Sequence, residues 1–152
     1  MLLRIYIDAD ACPVREETYK VARRHNVPVT VVSNSFLRVP REPLINFIAV
    51  SDNFDAADDY IAQRADENTV VITSDILLAE RCLNTGASVL APTGKPFTKD
   101  SIGGAIATRA IMADLRAGAQ TPNIGGPAPF THKDRSKFLE ILHLTLEQLK
   151  RR

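Results

Sequence analysis

At 152 residues, with 45% hydrophobic and 24% charged residues, the chain has the length and make-up of one soluble globular domain with a sizeable core. A formal net charge of +1 excludes a strongly basic surface, so any nucleic-acid contact has to come from a local patch. No apolar run approaches the roughly 20 residues of a membrane span, and Asp8 and Asp10 sit where a signal peptide would be apolar. Two cysteines, Cys12 and Cys82, are too few for a disulfide framework or zinc cluster, which leaves a reduced, cytoplasmic location as the expectation.

The first element is a strand at 4–7, Arg4-Ile5-Tyr6-Ile7, which stops at Asp8-Ala9-Asp10. Pro13 then fixes the first turn of a helix predicted over 13–25, with Val14, Tyr19, Val21 and Ala22 as its apolar stripe and Asn26 as its left-handed end. Further strands are expected at 29–33, 47–50, 70–73 and 88–90, mostly short Val/Ile runs of the kind covered on both faces. Helices are expected at 55–65 and 76–83, the latter ending at Thr85-Gly86. This alternation predicts an α/β fold: a doubly wound, mainly parallel sheet of about five strands with helices on both faces.

The last third reads differently. A turn-rich loop, Pro92-Thr93-Gly94-Lys95-Pro96, leads into a helix over 99–115. A Pro/Gly-rich loop or linker is expected at 121–129. Thr131 and Asp134 then resemble a capping box opening a final helix, whose positions Phe138, Leu139, Leu142, Leu146 and Leu149 recur at helical spacing. That stripe is core or an interface; as an interface it would make the chain a homodimer. The whole reads as one domain, 1–152, with a core at about 1–117 and an appended loop and helix at about 118–152.

Side chains two apart on an extended segment point the same way, so Asp8 and Asp10 converge if the strand geometry persists. Asp55, Asp58 and Asp59 open the second helix, and Asp75 follows the strand Val70-Val71-Ile72-Thr73. In an open parallel sheet the carboxyl ends of the strands share one edge, and ligands bind in the crevice there. Taken singly, each aspartate is explained as a cap or as a helix-dipole partner worth about 0.3–1 kcal/mol. Together their mutual repulsion offsets those gains, and Mg²⁺ or Mn²⁺, which take oxygen ligands, would relieve it. Such a site suits phosphodiester hydrolysis without a nucleophilic Ser or Cys. Thr73 or Ser74 could brace a carboxylate or the attacking water. Arg38, Arg41, Lys95, Lys99, Arg109, Lys133, Arg135 and Lys137 are candidate phosphate contacts, with a solvated charged face as the plainer explanation. Cys12, near a helix N-terminus, is either a partial thiolate or a small buried residue. The three histidines, His25, His132 and His143, have no ligand-like spacing and are expected on helices away from the acidic edge.

The segments Tyr6-Ile7-Asp8-Ala9-Asp10-Ala11-Cys12-Pro13-Val14, Phe54-Asp55-Ala56-Ala57-Asp58-Asp59 and Ile72-Thr73-Ser74-Asp75-Ile76-Leu77-Leu78-Ala79 resemble the YaiI/YqxD family. So do Asn34-Ser35-Phe36-Leu37-Arg38-Val39-Pro40, Pro92-Thr93-Gly94-Lys95-Pro96-Phe97-Thr98 and Gly125-Gly126-Pro127. The family's layout is similar to PIN-like nuclease domains, which hold divalent metal for RNA cleavage. That likeness implies Asp8 and Asp75 as catalytic metal ligands, Asp10 beside them, and Asp55 or Asp58 as the helix carboxylate, where PIN domains often use glutamate. It also implies Asn34 near the site and single-stranded or structured RNA as partner. Two rival readings stand beside it. A haloacid-dehalogenase-type phosphatase would use Asp8 and Asp10, although its later lysine and acid pair do not follow in order. A non-catalytic RNA- or protein-binding module would keep only the fold.

Overall fold

The computed structural model describes residues 2–10, 12–53, 55–118 and 129–152. The expected 121–129 loop, with its Gly125-Gly126-Pro127 motif, lies almost wholly outside the described residues. Five parallel strands form the sheet: β1 (Arg4–Asp8), β2 (Val29–Ser33), β3 (Ile45–Ala49), β4 (Thr69–Ile72) and β5 (Ser88–Leu90). A sixth, β6 (Pro96–Phe97), pairs antiparallel with β5 and extends the five-strand expectation by one short edge strand. The order is β3-β2-β1-β4-β5-β6, so the chain winds outward from β1 on one side and then returns to continue from β4 on the other.

Strand alternation assigns the two faces. Ile5, Ile7, Val29, Val31, Val70 and Ile72 point to one side, where α1 (Arg15–His25) and α5 (His132–Lys150) cover them. Tyr6, Val32, Val71 and Val89 point to the other, under α2 (Ala56–Arg64), α3 (Ile76–Asn84) and α4 (Lys99–Gly118). The result is a three-layer sandwich.

Local chemistry explains most element ends. Asn26 closes α1 in the left-handed conformation (φ 55°), a position Asn tolerates well. The start of α1 differs from expectation: Val14 is its N-cap, Pro13 precedes it, and no side chain caps it, so Asp10 is not spent as a cap. Thr131 and Asp134 form the reciprocal capping box that opens α5. Phe138, Leu142, Leu146 and Leu149 on α5 are buried in the α1-side core, so the stripe is core and gives no argument for a second copy. Gly94, between β5 and β6, has φ +84°, and a Cβ there would lie 2.8 Å from the backbone of Lys137 and Phe138. Only glycine allows that turn to seat against α5.

Candidate metal centre

Register builds the site. Ile7 pairs with Ile72 across β1 and β4, so the next residues, Asp8 and Thr73, leave the sheet side by side. The buried Thr73 hydroxyl donates to Asp8 Oδ2 at 2.8 Å and accepts from the Asp75 amide at 2.9 Å. Asp75 N-caps α3, its Oδ1 accepting from the amides of Leu77 and Leu78 at 2.9 and 3.2 Å. These bonds leave the Asp75 carboxylate at the crevice where strand order reverses between β1 and β4, the ligand-binding position of such sheets.

Helix α2 brings a third carboxyl group. Asp55 is its N-cap in a left-handed conformation (φ 64°) with no side-chain cap bond, and Asp58 and Asp59 follow in the first turn. Asp59 faces away and pairs with Arg81 at 2.8 Å. Asp58 faces in: it lines a cavity of about 610 Å³ together with Asp8, Asp10, Asp75, Arg109 and Arg116. Asp10 reaches the same cavity from the exposed turn after β1.

The electrostatics register the crowding. Burial, then the charges of Asp75, Asp8 and Asp55, and a hydrogen bond with Asp75, push Asp58 up to about 7. Burial, reinforced by Asp10 and Asp75 and opposed by the Thr73 hydroxyl, pushes Asp8 up to about 6. A carboxyl group raised from its unfolded value of 3.8 favours folding while protonated, and that contribution is lost as pH rises through the folded value. Metal-free protein should therefore lose stability between about pH 4 and pH 7. Asp58→Asn should remove part of that loss and raise the melting temperature at pH 8. Solvent screening of this half-exposed group limits the gain to about 1 kcal/mol, or roughly 2–4 °C for a chain this size. Thermal melts of wild type and variant across pH 5–8, in chelator, check it; a variant melting no higher than wild type at pH 8 would contradict the crowding.

The donor set is oxygen only, which fits Mg²⁺ or Mn²⁺. Among the described residues, no three aspartates bring their oxygens within 4.8 Å of one another; the trio that meets that distance is His25, His143 and Glu147. That spacing is wider than one fully dehydrated ion would draw its ligands.

The remaining predicted residues divide. Arg109 lines the same cavity as the aspartates, and Lys95 lines an adjoining cavity with Arg109 and Arg116. Thr73 is 1% exposed with its hydroxyl bonds made to protein, which makes it a brace rather than a substrate contact. Arg38 lines a separate cavity with Phe36, Arg41 and Phe47, and Asn34 is exposed at the end of β2. Arg135 is bound to the Pro13 carbonyl and Glu17 and joins α5 to α1. Burial pushes the Cys12 thiol up to about 11, so Cys12 is a small buried residue and not a thiolate. Arg116 was not singled out from the sequence. Its signal was its place seven residues after Arg109, two turns along the same helix face.

The family model described as "Uncharacterized BCR, YaiI/YqxD family" matches residues 6–148. The UPF0178 protein of Sphingopyxis alaskensis is 62% identical over 147 residues, covering 97% of this chain and 95% of the relative. The UPF0178 protein of Bradyrhizobium diazoefficiens is 55% identical over 149 residues, covering 98% of this chain and 88% of the relative. That of Rhodopseudomonas palustris (strain HaA2) is 52% identical over 149 residues, covering 98% and 90%. No solved structure matches. No helix among the described residues is long and apolar enough to cross a membrane. The chain belongs to the YaiI/YqxD family.

Proposed function

We propose that this YaiI/YqxD-family chain is a divalent-metal-dependent hydrolase of RNA phosphodiester bonds, with Asp8, Asp10, Asp58 and Asp75 as the oxygen donors for Mg²⁺ or Mn²⁺. One observation carries the reading: four carboxyl groups from three separate segments line one cavity at the strand-order switch, two of them pushed up to about 6 and 7. Burying carboxyl groups beside one another in this way is a cost to folding that a cation would offset, and perturbed carboxyls in a cleft mark functional sites. Bound there, a divalent ion would supply an activated water and charge neutralisation at the leaving oxygen.

The chain's own residues do the positioning. Thr73 fixes the Asp8 carboxylate, and the N-cap bonds of α3 fix Asp75. Arg109 and Arg116, on the cavity wall formed by α4, make no ion pair among the described residues and can fork onto phosphate oxygens. A phosphatase of the dehalogenase type fits less well, because among the described residues the cavity is lined by these arginines and not by a lysine.

The test is incubation of a labelled single-stranded RNA with the protein in Mn²⁺ and in EDTA. Cleavage in Mn²⁺ that stops in EDTA is expected. RNA bound equally in both but left intact would replace this reading with a binding module. Hydrolysis of a chromogenic phosphomonoester, with RNA untouched, would replace it with a phosphatase.

A further inference from the structure

At the opposite edge of the sheet, a polar cluster joins the apolar packing of α1 against α5. His25 is the last residue of α1 and precedes β2, so it lies at the amino ends of the strands, away from the aspartates. Its ring is buried, with a side chain 3% exposed, and its Nε2 faces His143 Nδ1 at 2.8 Å. Glu147 follows His143 by one helical turn, and its Oε1 lies 3.8 Å from His25 Nδ1. One ligand atom from each of the three lies within 4.8 Å of the others.

We propose that His25, His143 and Glu147 form a second metal site, for a late first-row divalent cation such as Zn²⁺, that clamps α5 to α1. Two imidazoles and a carboxylate suit that class of ion, whereas the oxygen-only cluster at the other edge suits Mg²⁺ or Mn²⁺. Three protein ligands leave one coordination position for water. A cavity of about 190 Å³, lined in part by His25, Val27 and Lys150, opens beside His25 as a route of entry. Lys150 now donates to His25 Nδ1 at 2.8 Å and to the His25 carbonyl at 3.2 Å. A cation between the two imidazoles takes His25 Nε2 and His143 Nδ1, moves the His25 proton to Nδ1 and displaces that ammonium. The Glu147 carboxylate turns from its place beside His25 Nδ1 to reach the ion. The rings open by a few tenths of an ångström, since Zn–N bonds of about 2.0–2.1 Å set ligand nitrogens further apart than a hydrogen bond does.

The site is independent of the hydrolase reading, and the experiment separates them. Zn²⁺ is titrated calorimetrically into wild type, Asp8→Asn, His143→Ala and Glu147→Gln, with excess Mg²⁺ present to fill the acidic cluster. One Zn²⁺ per chain is expected in wild type and in Asp8→Asn, with affinity falling at least about 10-fold in both α5 variants. At equal Zn²⁺ the melting temperature should also rise less in Glu147→Gln than in wild type and Asp8→Asn. No Zn²⁺ binding by wild type, or binding lost in Asp8→Asn and kept in Glu147→Gln, overturns the site. Should His143→Ala fail to fold, the partly exposed Glu147→Gln decides alone.

Discussion

Asp8→Asn and Asp75→Asn should each lower metal-dependent RNA cleavage by about 1,000-fold or more, with the fold intact. The magnitude follows from losing a ligand to an ion that supplies several kcal/mol of transition-state stabilisation, at 1.36 kcal/mol per tenfold in rate. The choice of asparagine separates chemistry from folding. Asn is as good an N-cap as Asp, so Asp75→Asn retains the bonds to the Leu77 and Leu78 amides. Asp8→Asn keeps an oxygen that can accept from Thr73 while removing a buried charge that the other aspartates oppose. Cleavage rates and melting temperatures measured on the same samples check the pair. Rates within tenfold of wild type at unchanged stability would exclude both residues from the chemistry.

Phe138→Ala should destabilise the protein by about 3–5 kcal/mol, a large share of the roughly 5–15 kcal/mol that holds a domain together. Phe138 is fully buried on α5 within the core shared with α1 and the sheet. Its backbone also receives the Gly94 turn between β5 and β6, so the surroundings are pinned from two sides and collapse poorly around a void. Urea unfolding, read as a shift in midpoint at constant slope, measures the loss. A loss below about 1 kcal/mol would mean that α5 is an appendage and not part of the domain's core.

Legibility in the sequence followed locality. The β1–α1 and β4–α3 units were readable because each pairs a short apolar strand with a nearby helix start, and the Thr131–Asp134 capping box was readable within four residues. Strand β6 was hidden because its two residues, Pro96 and Phe97, sit in a segment whose composition signals only turns. The convergence of Asp8 and Asp75 followed from the parallel-sheet rule alone. The choice among Asp55, Asp58 and Asp59 did not, because it depends on where α2 begins. With Ala56 first, Asp58 turns inward and Asp59 turns to Arg81. The meeting of His25 and His143 was invisible for a different reason. They are 118 positions apart, and only the packing of α5 on α1 brings them together.

Folding gathers four carboxyl groups around one cavity, and neutralisation by a hard cation is the proposed consequence. Calorimetric titration of Mn²⁺ into wild type and Asp8→Asn tests it most directly. Saturable binding by wild type that the substitution abolishes is the predicted result. Equal heats from both proteins, or no binding by wild type, would contradict it.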